Sequence, residues 1–237
     1  MTSPNPNAPK IKFCGFTRHE DLEVACSLGV DAIGLNFYAR SPRYVDTIRA
    51  RELSMIAEGR TTRVGVFVNS TPSEVVNVVE ACSLDVVQLH GDEGLDWIAE
   101  AIIHPQLEKM PILRALSWRG PSYPEDEATA GKWANHNAVS GLLIDAHDPV
   151  QRGGTGKVAR WDLLCPRPVP LQKKPFWLAG GLTPQNIHQA LDLVRPDGID
   201  LASGIEISPG IKSPELMKLV CEKIRGWGQS EIVNLIS

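Results

Sequence analysis

Hydrophobic and polar residues follow two patterns that repeat in turn along the chain. Short apolar runs predict buried strands, and each is followed by a segment with apolar residues at i, i+3, i+4 and i+7, which predicts an amphipathic helix. The predicted strands lie at residues 10–14, 31–38, 63–69, 84–90, 110–117, 140–146, 176–181 and 197–204. The pattern therefore contains eight successive pairs of strand and helix.

Local signals indicate where several of these helices begin. Asp46 is placed to cap the second helix, and Thr71 is followed three residues later by Glu74, which is the spacing of a capping box. Thr183 with the following proline predicts the start of the seventh helix. The least clearly marked helices are those expected near residues 125–136 and 158–164.

Eight strand and helix pairs without a break in composition predict a closed (β/α)8 barrel, the TIM barrel architecture. A doubly wound open sheet with two additional units is the alternative. We expect residues 10–237 to form this single domain, and residues 1–9, rich in Pro, Asn and Ser, to form a disordered arm.

Composition and charge narrow the class of protein. The 237 residues are 43% hydrophobic and 22% charged, with a net charge of −4, as in an ordinary soluble globular protein. This composition predicts no nucleic-acid-binding surface. No apolar run approaches the roughly 18 residues of a membrane span, and the N-terminal sequence does not resemble a signal peptide. We therefore expect a cytoplasmic protein with no membrane partner.

The five cysteines form no CxxC pair and predict neither a disulfide framework nor a zinc site. Only Cys14 stands at the end of a predicted strand. Lys12 lies on the same side of that strand, because side chains two residues apart share a face. We expect its ammonium group to lower the pKa of the thiol and to favour the reactive thiolate. The alternative is that Cys14 is a small buried hydrophobic residue.

In such a barrel the active site lies at the carboxyl ends of the strands. Asp145 closes the sixth predicted strand and is either a functional acid or a carboxylate that caps a loop. Gly180 and Gly181 close the seventh strand, and Ser203 and Gly204 close the eighth. Backbone N–H groups at these two strand ends bind phosphate in many barrels, so the sequence predicts a phosphate site there.

The glycine-rich GGTGK segment at 153–157 is similar to two nucleotide-binding motifs but matches neither. Gln151 and Val158 stand where a P-loop requires Gly and Ser or Thr, and the preceding strand ends too early for a dinucleotide-binding turn. We interpret the segment as a mobile loop or as a loop that covers the substrate. The acidic and histidine residues at 145–148 have no matching ligand cluster elsewhere, so no metal site is predicted.

Seven segments of the chain occur in a characteristic order. They are KIKFCG, DAIGLNFYARSPRYV, VGVFVN, VQLHGDE, the sixth-strand aspartate followed by GGTGK, LAGGLTPQNI, and IDLASGIEISPGIKS. Together they closely resemble the phosphoribosylanthranilate isomerase family of tryptophan biosynthesis, over residues 10 to about 226. The chain departs from the family at Phe13, which we expect to face away from the barrel interior, and at Ser213. Neither position carries an expected role.

The resemblance implies a TIM barrel of the ribulose-phosphate-binding type and a cofactor-free Amadori rearrangement of a small-molecule substrate, N-(5-phosphoribosyl)anthranilate. It implies that Cys14 is the general base, that Asp145 is the general acid and that Arg43 binds the anthranilate carboxylate. Its phosphate-binding residues map onto Gly180, Gly181, Ser203 and Gly204. The expected assembly is a monomer or a homodimer.

Two alternatives stay open at this point. The first is another sugar-phosphate barrel, such as an aminoaldose isomerase of the histidine pathway, although those enzymes use aspartate where this chain has Cys14. The second is a catalytically silent phosphate-binding barrel that serves as a partner subunit. Retention of both Cys14 and Asp145 favours an active isomerase.

Overall fold

Eight parallel strands form a closed barrel in which each strand pairs with the next and β8 pairs with β1. A computed structural model describes residues 8–120, 122–145 and 160–228. The barrel strands are β1 (Lys10–Cys14), β2 (Ala32–Asn36), β3 (Thr62–Phe67), β4 (Val86–Leu89), β5 (Ile112–Ser117), β6 (Val139–Asp145), β7 (Phe176–Ala179) and β8 (Gly198–Leu201). The predicted (β/α)8 barrel is confirmed, and the open-sheet alternative is wrong.

Helices cover the outside of the barrel. They are α1 (His19–Ser27), α2 (Thr47–Ala57), α3 (Pro72–Cys82), α4 (Leu95–Ala101), α5 (Pro105–Glu108), α6 (Pro124–Ala134), α7 (Ile187–Val194) and α8 (Pro214–Gly226). A two-stranded hairpin, β9 (Glu206–Ser208) and β10 (Ile211–Lys212), stands between β8 and α8. This hairpin is an addition to the barrel pattern at the carboxyl end of β8.

The predicted caps of the second and third helices are confirmed. The Asp46 side chain accepts a hydrogen bond of 2.8 Å from the backbone N–H of Arg49. Thr71 and Glu74 form the reciprocal bonds of a capping box. Because each cap involves residues only three positions apart, sequence spacing alone was sufficient to predict it.

Two predicted helices differ in the structure. The seventh begins at Ile187 rather than at Thr183, because the Asn186 side chain accepts a hydrogen bond from the Thr183 N–H and folds the preceding residues into a turn. The helix expected near 158–164 is a single 3-10 turn at Trp161–Leu164. The residues just before that turn lie outside the described part of the chain.

Apolar side chains pack in two layers, one between strands and helices and one inside the barrel. Phe13 is fully buried in the outer layer, as expected from its position on β1. The inner layer is small and consists of Leu113, Ala115, Leu143 and Ala179, with Val86 and Trp177 packed against them. Polar groups therefore occupy much of the remaining interior, including the part nearest the carboxyl ends of the strands.

Residues 1–7, the GGTGK segment and residues 229–237 lie outside the described residues. The disordered arm at 1–9, the substrate-covering loop and the domain boundary at 237 stay predictions. None of the helices among the described residues has the length and hydrophobicity needed to cross a membrane.

Candidate functional site

Cys14 is the last residue of β1, and its neighbour on β2 is Gly34. The Gly34 carbonyl accepts hydrogen bonds from the N–H groups of Gly15 at 2.9 Å and Phe16 at 3.2 Å, which ties the end of β1 to β2. A Cβ atom at position 34 would lie only 2.7 Å from the Cys14 sulfur. The missing side chain of Gly34 thus provides the space that the thiol occupies.

A buried ion pair lies beside this thiol, inside the barrel. Lys12 Nζ donates a hydrogen bond of 2.8 Å to Asp200 Oδ2, joining β1 to β8, and both side chains are almost completely buried. Burial is the largest single influence and acts to lower the pKa of Lys12, but the interactions with Asp200 and Cys14 together outweigh it, so the pKa is raised above its ordinary value. Lys12 therefore stays protonated.

The expectation that Lys12 lowers the pKa of Cys14 overall is wrong. Removal of the thiol from water raises its pKa more than Lys12 lowers it, and the nearby carboxylate of Asp200 raises it further. Lys212 also favours the thiolate, but with Lys12 it does not reverse the effect of burial. The free protein consequently holds a protonated thiol at neutral pH, poised beside two cations.

Asp145 ends β6 on the same side of the barrel as Cys14, next to Ser117 of β5 and Ala179 of β7. Immediately after β4, His90 lies within the electrostatic field of Asp145, Asp200 and Lys12. One network of charges thus extends from the acid at β6 to the ion pair beside the thiol. Cys14 and Asp145 are brought to the same mouth, as the sequence predicted.

The predicted phosphate-binding residues also come together at this mouth. Gly180 and Gly181 both have positive φ angles, of 88° and 63°, which favour glycine. A Cβ atom at Gly204 would lie 1.8 Å from the carbonyl oxygen of Leu182, so the loops after β7 and β8 are in direct contact. Within the described residues, the N–H groups of Gly180, Gly181, Ser203 and Gly204 donate no backbone hydrogen bond outside the regular bonds of strands and helices.

Arg43 lies at the same mouth but already has a carboxylate partner. Its Nε and Nη2 atoms donate hydrogen bonds of 2.8 and 2.5 Å to the two oxygens of Glu206 at the start of β9. The side chain of Glu206 is 3% exposed and also accepts a bond of 2.7 Å from Lys212. The role of Arg43 as a clamp for a substrate carboxylate stays a prediction, and the structure adds Glu206 and Lys212 to its surroundings.

A separate cavity of about 830 Å³ opens at the opposite end of the barrel, where the strands begin. Its lining includes Lys10, Lys12, Thr62 and Trp177, but none of the predicted site residues. Within the ranges that the structure describes, no three His, Cys, Asp or Glu side chains cluster in a way that would hold a metal ion. The predicted site residues thus lie away from this cavity, at the carboxyl ends of the strands.

The charged partners that surround the site were not predicted from the sequence. Asp200 lies in an apolar strand at the inward position beside Lys12, and a charged residue at such a position is a usable signal of a buried pair. Glu206 and Lys212 lie in a short segment whose hairpin shape was not predicted. Glu93 was also missed: it binds the N–H groups of Asn69 and Gly91 and orders the loops after β3 and β4.

Comparison with known proteins places this barrel in one family. The family model for N-(5'-phosphoribosyl)anthranilate isomerase matches residues 11–223. The isomerase of Pseudomonas aeruginosa strain UCBPP-PA14 is 38% identical over 224 residues, which cover 94% of this chain and 99% of the relative. The isomerase of Myxococcus xanthus is 39% identical over 209 residues, covering 88% of this chain and 92% of the relative.

Solved structures agree with this assignment. The phosphoribosylanthranilate isomerase of Thermotoga maritima superposes with a TM-score of 0.79 at 31% identity, covering 92% of this chain and 99% of that one. Another structure from the same organism is described as monomers generated from a dimeric isomerase (TM-score 0.74, 29% identity, 92% and 99% coverage). An isomerase in complex with reduced 1-(o-carboxyphenylamino)-1-deoxyribulose 5-phosphate has a TM-score of 0.75 at 29% identity, with 92% and 99% coverage. The chain belongs to the phosphoribosylanthranilate isomerase family.

Proposed function

We propose that this chain catalyses the Amadori rearrangement of N-(5-phosphoribosyl)anthranilate to 1-(2-carboxyphenylamino)-1-deoxy-D-ribulose 5-phosphate in tryptophan biosynthesis. The observation that carries the proposal is the family match over residues 11–223, which includes both Cys14 and Asp145 at the carboxyl ends of strands in one barrel. An enzyme of this family binds the reduced product in a solved structure. The reaction needs one acid and one base and no cofactor.

Asp145 performs the first step as general acid. Its protonated carboxyl group gives a proton to the furanose ring oxygen, and the bond between that oxygen and C1 breaks. The electron pair on the anthranilate nitrogen forms the new C1=N bond, which leaves a positively charged iminium. This charge makes the proton on C2 acidic enough for a base to remove.

Cys14 performs the second step as general base. The thiol first gives up its own proton to water, and the thiolate then takes the C2 proton, while the electrons of the C2–H bond form a C1=C2 double bond as the iminium charge is neutralised. Tautomerisation of the resulting enol then gives the C2 ketone and a CH2 group at C1. An ordinary thiol is about 3% ionised at pH 7, and burial makes this fraction smaller for Cys14.

The substrate itself helps to ionise this thiol. Bringing an ordinary thiol to half ionisation at pH 7 requires about 2 kcal/mol, and a buried thiol requires more. The iminium forms next to the sulfur and adds a third positive charge to those of Lys12 and Lys212, both of which favour the thiolate. The base therefore becomes effective once the ring is open, when it is needed.

Protein contacts to the two ends of the substrate hold it in this geometry. The N–H groups of Gly180, Gly181, Ser203 and Gly204 bind the phosphate. Arg43 binds the anthranilate carboxylate, since a planar guanidinium matches a carboxylate in shape and charge. These residues place the C1 and C2 atoms of the sugar between Asp145 and Cys14.

We further propose a cytoplasmic location and an assembly of one or two chains. All five cysteines are free, and the mechanism requires Cys14 in the reduced form that a reducing compartment maintains. A Thermotoga maritima relative is described as dimeric. Light scattering of the purified protein measures the mass and tests this part of the proposal, and a larger assembly would contradict it.

The direct test is turnover of N-(5-phosphoribosyl)anthranilate, followed through the fluorescence of its anthranilate group. We expect the purified protein to consume this compound and to form a product that, after borohydride reduction, matches reduced 1-(o-carboxyphenylamino)-1-deoxyribulose 5-phosphate by mass and chromatography. Tight binding of the substrate without turnover would instead support a catalytically silent barrel. Absence of both would contradict the proposal.

A further inference from the structure

A buried carboxylate in the β9–β10 hairpin binds two cationic side chains at the mouth of the barrel, those of Arg43 and Lys212. Glu206 accepts two hydrogen bonds from Arg43 and one from Lys212. Lys212 Nζ in turn donates to the backbone carbonyl of Cys14 at 2.5 Å. The hairpin is thus bonded through Lys212 to the residue that carries the base.

The position of Arg43 is fixed along the whole length of its side chain. A Cβ atom at Gly15 would lie 2.4 Å from Arg43 Cδ, so the arginine methylene groups pass directly over the backbone of Gly15. Glu206 then determines which way the planar end group faces.

The guanidinium has more than one edge that can bind a carboxylate. Glu206 takes the edge formed by Nε and Nη2. Arginine carries five N–H groups in a fixed fork, so the second edge, formed by Nη1 and the remaining Nη2 proton, is left for another acceptor. Within the described residues, Nη1 makes no hydrogen bond to any group of the chain.

The charges of this cluster are also suited to one additional anion. Arg43 and Lys212 contribute two positive charges and Glu206 one negative charge, so the cluster carries a net charge of +1. A single substrate carboxylate would neutralise it. With Glu206 neutral the net charge would be +2, but the guanidinium would lose the partner that orients it.

We propose that Glu206 is a positioning residue that holds one edge of the Arg43 guanidinium and thereby directs its other edge to the carboxylate of the substrate. This inference rests on the proposed function and adds to it. It makes the β9–β10 hairpin responsible for selecting a carboxylated aromatic amine. In this arrangement Glu206 acts only through Arg43, so its effect should depend on whether the ligand carries that carboxylate.

The test compares two ligands that differ only in this group. They are reduced 1-(o-carboxyphenylamino)-1-deoxyribulose 5-phosphate and its phenylamino counterpart, which lacks the carboxylate. We expect Glu206→Gln to weaken binding of the carboxylated ligand at least tenfold, which corresponds to about 1.4 kcal/mol, and to change binding of the counterpart less than twofold. The KM for N-(5-phosphoribosyl)anthranilate should rise in parallel, with a smaller change in kcat.

The chain offers a matched control at the opposite end of the barrel. Arg63 holds Asp85 through the same pair of atoms, Nε at 2.8 Å and Nη2 at 2.9 Å. Asp85→Asn removes an equivalent carboxylate partner from an arginine but should leave the affinity for both ligands within twofold of the wild type. If loss of an arginine–carboxylate pair lowers stability in both variants, this control separates that loss of stability from the effect of Glu206 on binding.

Several outcomes would overturn the positioning role. Equal weakening of both ligands by Glu206→Gln would assign Glu206 a structural role only, and unchanged binding of the carboxylated ligand would remove it from substrate recognition. If Glu206→Gln does not fold, Glu206→Asp keeps the charge beside Lys212 with a shorter reach, and we expect a selective loss of at least threefold. Failure of the proposed function is distinguishable, because the wild-type protein would then not turn over N-(5-phosphoribosyl)anthranilate, whatever its affinity for the two ligands.

Discussion

The close contact between Gly34 and Cys14 allows the position of the catalytic sulfur to be tested without changing the sulfur itself. Gly34→Ala adds one methyl group on β2 that would point at the thiol across the strand pair. No acidic, basic or phosphate-binding group is altered. Any loss of activity would therefore arise from displacement of Cys14.

The size of the effect follows from the geometry. The new methyl carbon would lie 2.7 Å from the Cys14 sulfur and 3.1 Å from its Cα. Nonbonded carbon atoms prefer separations of about 3.5 Å or more, so the sulfur must move by roughly 0.8 Å. A misplacement of about 1 Å costs on the order of 100-fold in rate, or about 2.7 kcal/mol in the activation free energy.

The variant should still fold. Overpacking by a single methyl group costs about 1–3 kcal/mol, which is less than the roughly 5–15 kcal/mol that stabilises a typical domain. Fluorescence-monitored turnover gives kcat and KM, and thermal unfolding gives the stability. Gly226→Ala in α8 is the control, because a Cβ atom there meets no atom within 4 Å.

We expect Gly34→Ala to lower kcat about 100-fold, with KM within a factor of about three, and Gly226→Ala to retain the wild-type values. A Gly34→Ala enzyme whose kcat stays within twofold of the wild type would refute the reasoning. It would mean that the sulfur position is not critical, and hence that Cys14 is not the base.

Four more predictions concern the groups around the thiol and the phosphate-binding loops. Lys12→Met should reduce the free energy of unfolding in urea by about 3–5 kcal/mol, because it leaves the buried carboxylate of Asp200 without its partner; wild-type stability would show that the pair contributes little. Iodoacetamide labelling of Cys14, resolved by peptide mass spectrometry, should have a midpoint above the ordinary thiol pKa of about 8.5, because burial raises the pKa of this thiol. A wild-type midpoint at or below the ordinary value would contradict this. Asp200→Asn should lower the midpoint by removing a nearby negative charge, and an unchanged midpoint in that variant would argue against the influence of Asp200. Gly204→Ala should raise KM about tenfold or more, since its Cβ atom would collide with the Leu182 carbonyl and separate the phosphate-binding loops; an unchanged KM would argue against phosphate binding there.

The barrel and its mouth were predictable because they depend on local and periodic signals. The order of strands and helices follows from apolar spacing, and the caps at Asp46 and Thr71 depend on residues three positions away. Parallel strands joined by helices then bring all carboxyl ends to one side. Cys14 and Asp145 could therefore be placed at a common mouth before any coordinates were known.

The electrostatics of the site could not be predicted in the same way. Lys12 and Asp200 are separated by 188 positions in sequence, and Arg43 and Glu206 by 163. The periodicity of apolar residues does not predict which charged side chains form ion pairs across the barrel. It also does not predict how far a thiol is buried from solvent. For this reason the predicted direction of the Cys14 pKa was wrong although its position was right.

The most direct measurement of the central claim is the rate at which the wild-type, Cys14→Ala and Asp145→Asn proteins consume N-(5-phosphoribosyl)anthranilate. Each protein is first shown to bind reduced 1-(o-carboxyphenylamino)-1-deoxyribulose 5-phosphate. We predict turnover by the wild type and a loss of at least 1,000-fold in both variants, with binding of the reduced product retained, since general acid and base groups each contribute roughly 100- to 10,000-fold. A Cys14→Ala or Asp145→Asn protein that binds this ligand and still turns over at close to the wild-type rate would contradict the account.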